Sequence, residues 1–211
     1  MSGSKVRIAV FVSGGGTNLQ ALIDKQQSGV ITSGEISLVI SNNPNAYALE
    51  RARNAGIATA VVSRKECATQ EEFEQRLSAL IEENGIRLIV LAGFMCILSE
   101  NFTSKYPKRI INVHPSLIPS FCGKGFYGLN VHRAALDYGV KVTGATVHFV
   151  NEIPDGGEII LQKAVAIEEG DTPEVLQKRV MENAEWVILP QAVELVCRRM
   201  SENNTRVYPK T

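Results

Sequence analysis

Hydrophobic residues along the chain occur in short runs that alternate with amphipathic segments. Seven runs have strand length and are rich in branched apolar residues: "VRIAVFV", "EISLVIS", "ATAVVS", "RLIVLAG", "RIINVH", "GATVHFV" and "EIILQKAVAI". Between them, apolar residues recur at helical spacing, so that Leu19, Leu22 and Ile23 of "NLQALID" share one face. This alternation predicts an α/β fold built on a single-domain, mostly parallel, doubly wound sheet with helices on both faces.

The predicted helices have recognisable ends. "AYALERARNAG" stops at Gly56 and "TQEEFEQRLSALIEENG" stops at Gly85, where glycine commonly follows the last helical turn. A long C-terminal helix is predicted from Thr172, an N-cap followed by a proline, to Met200. Pro190 is expected to kink this helix or split it in two.

Length, charge and cysteine usage narrow the class of protein. The 211 residues predict one domain over residues 1–200, followed by a polar tail over residues 201–211. Lys+Arg and Asp+Glu number 22 each, so no net charge favours nucleic acid or an anionic membrane. The cysteines are scattered without metal-ligand spacing, and no apolar run could span a bilayer. A cytoplasmic protein without a metal site is expected.

One strand carries polar residues where a buried strand should be apolar. In "RIINVHPSLIP", Asn112 and His114 are two residues apart and therefore point to the same side of an extended chain. Pro115 then ends the strand, because it lacks the N–H that a sheet needs. An amide and an imidazole are thus presented together at a strand end, which indicates a functional site.

Three chemistry-bearing segments follow predicted strands. They are "SGGGTN" after the first strand, "GFMCIL" after the fourth and "NVHPS" after the fifth. Ligands of open α/β sheets bind at the carboxyl ends of the strands. We therefore expect these three segments to converge at one edge of the sheet.

The glycine-rich loop "VSGGGTNLQAL" predicts a phosphate site at a helix N-terminus. No lysine follows, which excludes a Walker loop, and Leu19 stands where a dinucleotide fingerprint requires a small residue. A monophosphate held by Gly15, Gly16, Thr17 and Asn18 fits best. The alternative is a tight turn that Thr17 or Asn18 caps without a ligand.

A late aspartate completes the candidate chemistry. Asp155, in the "PDGG" turn, could orient His114 and favour its protonated form, while Asn112 could donate to a developing oxyanion. His148 and His132 are more simply interpreted as a packed strand residue and a helix residue. Residue types alone indicate acyl or phosphoryl transfer without deciding between them.

Together, "SGGGTNLQAL", "LAGFMCILS", "INVHPSLIP" and "VHFVNEIPDGGEIILQ" resemble the phosphoribosylglycinamide formyltransferase family, from about Val6 to Met200. The resemblance implies a Rossmann-like formyltransferase fold. It also implies transfer of a formyl group from 10-formyltetrahydrofolate to glycinamide ribonucleotide in purine biosynthesis, with no metal and no ATP. The family's catalytic trio maps onto Asn112, His114 and Asp155.

The resemblance also implies binding residues. Gly16, Thr17 and Asn18 would hold the substrate phosphate, and Glu185 would contact the ribose. Cys96 and Gln70 stand where relatives often carry arginine. The residues implied for the folate pocket are Met95, Cys96, Ile97, Leu98, Asn151, Glu152, Ile153, Pro154 and Asp155.

Other functions remain possible interpretations of the same residues. Methionyl-tRNA formyltransferase and formyltetrahydrofolate hydrolase share the trio, but we expect neither the nucleic-acid-binding domain of the first nor the regulatory domain of the second. A non-enzymatic sugar-phosphate-binding module would not need the trio. The expected partners are small molecules only, and the chain is expected to be a monomer or a homodimer.

Overall fold

The structure is a computed structural model that describes residues 5–202. The chain divides into two compact units, one running to Cys96 and resuming at Pro190, the other Ile97–Leu189. The seven strands form a mostly parallel sheet, which confirms the predicted α/β class. The domain boundary at residue 200 stays a prediction, and residues 203–211 of the predicted tail lie outside the described residues.

The first unit is a parallel α/β layer. Its strands are ordered β3-β2-β1-β4, and every pair among them is parallel. All but one of the residues of β1 are buried, as a strand inside a parallel sheet requires. The strands are β1 (Val6–Val12), β2 (Gly34–Ser41), β3 (Ala58–Val61) and β4 (Leu88–Leu91).

The helices of the first unit begin and end close to the predicted residues. They are α1 (Thr17–Gln27), α2 (Tyr47–Asn54) and α3 (Gln70–Glu83), with a 3-10 turn at Arg64–Glu66. Thr69 caps α3 by accepting the N–H of Glu72. Gly56 and Gly85 follow α2 and α3 with φ of 70° and 59°, the left-handed conformation in which glycine ends a helix.

The second unit is built around antiparallel pairs. Strand β6 pairs with both β5 and β7, and both pairings are antiparallel. The N–H of Val150 also donates to the carbonyl of Ile110, which extends the β5–β6 pairing past the strand end. The elements are α4 (Glu100–Lys105), β5 (Ile110–His114), α5 (Leu129–Tyr138), β6 (Val142–Phe149) and β7 (Ile159–Ala166).

The long C-terminal helix is interrupted, but not at the predicted residue. Helices α6 (Pro173–Val180) and α7 (Trp186–Ser201) are joined by a π-helical turn at Met181–Glu185. Helix α7 continues through Pro190, so the chain is not split there, and the kink stays a prediction. Pro190 lacks the N–H that would donate to the carbonyl of Trp186, the residue that directly follows the π-helical turn.

Thr172 caps α6 as predicted. Its side chain accepts the N–H of Val175, and Pro173 occupies the first helical position. Among residues 5–202, no helix combines the length and apolar character needed to cross a membrane.

Candidate active site

Four polar side chains cluster at the end of β5 and beside it. Asn112 and His114 lie two residues apart on β5, as predicted, and antiparallel pairing places Asn112 opposite His148 on β6. Asp155 Oδ2 lies 3.5 Å from His114 Nδ1, and Asp155 Oδ1 lies 3.6 Å from His148 Nε2. The structure therefore brings the predicted trio together and adds a second histidine to it.

The turn that carries Asp155 fixes its orientation. Asp155 adopts φ 56°, a left-handed conformation, and its Oδ2 accepts the N–H of Gly123 at 2.8 Å. A Cβ on Gly157 would lie 1.7 Å from the carbonyl oxygen of Phe149, so only glycine fits there. Glycine at position 157 is thus a steric requirement of the turn that places one carboxylate beside two imidazoles.

Burial dominates the electrostatics of this cluster. It lowers the pKa of His114, while the nearby Asp155 carboxylate and the Phe121 carbonyl raise that pKa by less, so the net shift is downward. Burial also raises the pKa of Asp155, but its polar surroundings, among them the Gly123 N–H and the nearby His114 ring, outweigh burial and hold that pKa below its usual range. At neutral pH the carboxylate is charged and His114 is mainly neutral.

This result corrects one expectation. Asp155 does favour the protonated form of His114, in the predicted direction, but burial of the imidazole outweighs the carboxylate. His114 Nε2 lies 2.8 Å from the carbonyl oxygen of Phe121, and a carbonyl only accepts, so Nε2 carries the ring proton. The neutral imidazole is therefore an N–H donor at Nε2.

The glycine loop lies in the first unit, directly before α1. Gly16 is the N-cap of α1, so no side chain caps the helix, and its first turn contains no acidic residue. Gly16 adopts φ 74°, and a Cβ there would lie 2.6 Å from the Cβ of Ala48. The N-cap residue thus offers no side-chain oxygen of its own, and the helix N-terminus carries the partial positive charge that attracts anions.

An arginine on α2 holds the glycine loop. Arg51 donates from Nε to the carbonyl of Gly15 at 2.8 Å and from Nη1 to Gln20 Oε1 at 3.1 Å. Its guanidinium also lies 5.0 Å from the ring centroid of Tyr47. Sequence reasoning missed Arg51, because Gly15 and Arg51 are far apart along the chain.

Two of the three predicted strand-end segments meet within the first unit. The N–H of Met95, after β4, donates to the hydroxyl of Ser13, after β1, at 2.8 Å. The rings of Phe11 and Phe94 pack edge to face at 5.2 Å. Convergence of the third segment, "NVHPS", with these two stays a prediction.

A match to a family model covers most of the chain. The model described as formyl transferase matches residues 6–193. The chain belongs to the formyl transferase family. The trio of this formyl transferase and its glycine loop both lie within the matched residues.

Individual relatives agree with this assignment. The phosphoribosylglycinamide formyltransferase of Haemophilus influenzae is 42% identical over 188 residues, which cover 89% of this chain and 85% of that protein. The solved glycinamide ribonucleotide transformylase 1 of Symbiobacterium toebii is 40% identical with a TM-score of 0.86, covering 94% of this chain and 93% of the other. These matches show that the formyl transferase fold extends over nearly the whole chain.

Some relatives are much longer than this formyl transferase. The trifunctional purine biosynthetic protein adenosine-3 of Homo sapiens is 46% identical over 192 residues, which cover 91% of this chain but 18% of that protein. The chain therefore spans less than a fifth of the trifunctional relatives that it matches.

The segments implied for the folate pocket differ in exposure. Met95, Ile97 and Ile153 are large, exposed apolar side chains, whereas Leu98 is buried. Asn151 and Glu152 line a cavity of about 270 Å³ in the second unit, which the trio does not line. Folate binding by these residues, by Pro154 and by Cys96 stays a prediction.

Cys96 and Gln70 of this formyl transferase have local hydrogen-bond partners. Cys96 Sγ accepts the amide of Asn42 at 2.9 Å, and Gln70 Oε1 accepts Arg64 Nε at 3.1 Å. Arg64, from the neighbouring 3-10 turn, thus contacts Gln70. Glu185, predicted to contact the ribose, is a buried residue of the π turn.

His132 is expected to make the stability of this formyl transferase depend on pH. The ring is fully buried, and within residues 5–202 neither of its nitrogens has a hydrogen-bond partner. Burial, with a smaller effect of His114, lowers its pKa from 6.5 to about 4. Between pH 6.5 and 4 the unfolded chain therefore binds a proton that the folded chain excludes, and the free energy of unfolding falls as the pH falls, by about 3 kcal/mol from this residue.

We expect His132→Gln, which cannot titrate, to lose about 3 kcal/mol less stability than the wild type between pH 7 and pH 4. Urea unfolding at the two pH values measures the difference. The wild type and the variant should still share the loss caused by His114, whose pKa is also lowered. Equal losses in the two proteins would contradict the assignment to His132.

Proposed function

We propose that this formyl transferase moves the formyl group of 10-formyltetrahydrofolate to the amine of glycinamide ribonucleotide. The products are formylglycinamide ribonucleotide and tetrahydrofolate, and the reaction belongs to de novo purine biosynthesis. One observation carries the proposal: Asn112, His114 and Asp155 form one cluster in a chain of the formyl transferase family. The name of the Haemophilus influenzae relative supports the choice of acceptor.

Asn112 and His114 are assigned the role of hydrogen-bond donors to the oxyanion. The amine attacks the formyl carbon, and the carbonyl oxygen becomes negatively charged. The Asn112 amide and the Nε2–H of His114 are donors on the same side of β5 and would both stabilise that charge. The neutral His114 ring can donate to the oxyanion from the same position as the charged ring, because its single proton is on Nε2.

Asp155 is assigned the role of transferring the proton. The attacking amine must lose one proton, and the folate nitrogen must gain one as its bond to the formyl carbon breaks and the carbonyl re-forms. Asp155 is charged at neutral pH because its pKa is lowered, so it can accept the first proton and return it, through water, to the leaving nitrogen. Atoms and charge then balance without a metal or ATP.

The Phe121 carbonyl must give way during this reaction. It holds the same Nε2–H of His114 that the oxyanion requires, and one N–H cannot serve both acceptors at full strength. Phe121 adopts φ 50° in the loop Phe121–Gly128, a strained conformation for a residue with a bulky side chain. We therefore infer that the Phe121 peptide turns its carbonyl away from His114 Nε2 when the substrate binds, while the Gly123 N–H stays on Asp155.

The phosphate of glycinamide ribonucleotide is assigned to Gly15, Gly16, Thr17 and Asn18. We expect Thr17→Ala or Asn18→Ala to raise the KM for glycinamide ribonucleotide by roughly 10-fold to 150-fold, since a hydrogen bond to a charged group contributes about 1.5–3 kcal/mol. The KM for the folate should change far less. Steady-state kinetics with each substrate varied in turn measures both KM values. An effect confined to the folate KM would refute the assignment of the phosphate to this loop.

Arg51 should affect the KM for glycinamide ribonucleotide as well, because it holds the backbone of the glycine loop. We expect Arg51→Met to raise the KM for glycinamide ribonucleotide about 10-fold with kcat nearly unchanged, because the Gly15 carbonyl loses its charged partner. Arg53→Met is the matched control on the same helix, since Arg53 is exposed and pairs with Glu50. Equal KM values in the two variants would contradict a role for Arg51.

The remaining assignments belong to the same proposal. Met95, Cys96, Ile97 and Leu98, with the segment from Asn151 to Asp155, would bind the folate, and Glu185 would contact the ribose. The partners are then small molecules, the compartment is the cytoplasm, and the chain is a monomer or a homodimer. One plant relative, from Arabidopsis thaliana, is a chloroplastic phosphoribosylglycinamide formyltransferase.

A coupled absorbance assay tests the function directly. The purified protein is mixed with a formyl-folate analogue, and release of the deformylated folate is followed with and without glycinamide ribonucleotide. Release that requires the acceptor, and persists with chelator and without ATP, supports the proposal. Release at the same rate without acceptor would identify a hydrolase. No release with either mixture would reject both the transferase and the hydrolase activity.

A further inference from the structure

His148 is a buried histidine that touches two members of the catalytic cluster. It lies on β6, is 1% exposed, and stands directly opposite Asn112 in the β5–β6 register. Its Nε2 lies 3.3 Å from Asn112 Nδ2 and 3.6 Å from Asp155 Oδ1. The strand pattern alone suggested a packing residue, but a packing residue does not require these two polar neighbours.

The protonation pattern of the His148 ring follows from its other nitrogen. Nδ1 lies 2.8 Å from the carbonyl oxygen of Phe149. A carbonyl oxygen can only accept a hydrogen bond, so Nδ1 must carry a proton. In the neutral ring Nε2 is therefore an acceptor, with its lone pair directed at the cluster.

Of the two neighbours that the described residues 5–202 place at Nε2, only Asn112 can satisfy that lone pair. Asp155 is a carboxylate, which has no hydrogen to give, and 3.6 Å is beyond hydrogen-bond length. The Asn112 amide nitrogen is a donor within reach at 3.3 Å. Neutral His148 thus selects the amide orientation of Asn112 in which Nδ2, and not Oδ1, faces the ring.

We propose that His148 is a positioning residue that fixes the side-chain amide of Asn112 for oxyanion binding; this rests on the function proposed above. Nδ2 carries two hydrogens. One is held by His148 Nε2, which leaves the other for the formyl oxygen. A flipped amide would present Oδ1 to the oxyanion and destabilise it. The tautomer of His148 therefore decides whether Asn112 stabilises or destabilises the oxyanion.

Two substitutions separate this role from packing. His148→Asn can keep a polar group near Nδ1 but removes Nε2, whereas His148→Gln can place an amide oxygen near the position of Nε2. We expect His148→Asn to lower kcat by about 10-fold to 100-fold with KM nearly unchanged, as for other groups that orient a functional side chain. His148→Gln should retain more activity than His148→Asn, and equal defects would overturn the proposal.

A double-mutant cycle with Asn112 tests the pathway of the effect. If His148 acts through Asn112, then Asn112→Ala combined with His148→Asn should be no slower than Asn112→Ala alone. Defects that multiply would overturn the proposal, because they would show that His148 acts independently of Asn112. Melting temperatures of all the variants establish that the compared enzymes are folded.

The ring itself can be examined in the wild-type protein without an activity measurement. Nitrogen-15 chemical shifts of the neutral His148 ring should show a protonated Nδ1 and a bare Nε2. The opposite tautomer would overturn the proposal even if every variant failed to fold. A wild type that does not transfer formyl groups would instead reject the proposed function, and the tautomer would still be decided by the spectrum.

Discussion

Asp155→Asn is expected to lower kcat by about 10²–10⁴-fold, the range for loss of a proton-transferring group. The substitution keeps the shape of the side chain but removes the charge that accepts the proton of the attacking amine. It also replaces an acceptor that faces His114 Nδ1, 3.5 Å away, by an amide with a different hydrogen-bond pattern. Ligand affinity, measured by calorimetry, should change far less, because the charge is needed in the transition state and not for binding.

Asp137→Asn provides the control for this experiment. Asp137 is an exposed residue of α5 in the same unit, so its loss of charge should leave kcat unchanged. If Asp155→Asn kept most of the wild-type kcat, Asp155 would have no role in proton transfer. If it weakened ligand binding as much as turnover, the carboxylate would be a binding group.

Asn112→Ala should slow turnover by about 10²–10³-fold with a nearly normal melting temperature, as expected for loss of an oxyanion donor. Asn112 is half-buried and its amide contacts His148, so a purely structural amide would instead affect stability. Steady-state kinetics and thermal unfolding of the same preparation distinguish the two roles. The strand backbone is unaffected, because alanine keeps the N–H and carbonyl of β5.

Asn112→Asp is the sharper substitution at this position. It is nearly isosteric, but it places a negative charge where an oxyanion must form. We expect it to be at least as slow as Asn112→Ala. An Asn112→Asp enzyme clearly faster than Asn112→Ala would remove Asn112 from the mechanism.

The sequence by itself determined the features that depend on near neighbours. Alternation along "RIINVH" predicted that Asn112 and His114 share one side of β5, and the structure confirms it. The glycines after α2 and α3 and the threonine cap of α6 were also predicted, because each acts within one helical turn. The "DGG" turn was identified as a means of aiming a carboxylate, and Asp155 does face His114.

Only the tertiary structure decided the features that depend on distant partners. The register between β5 and β6 places His148 opposite Asn112, and a helix outside the glycine loop supplies Arg51 to it. The pKa of His114 is lowered although a carboxylate stands beside it, because burial outweighs the carboxylate. Burial and strand register are set by how the whole chain packs, and local sequence patterns extend over only a few residues.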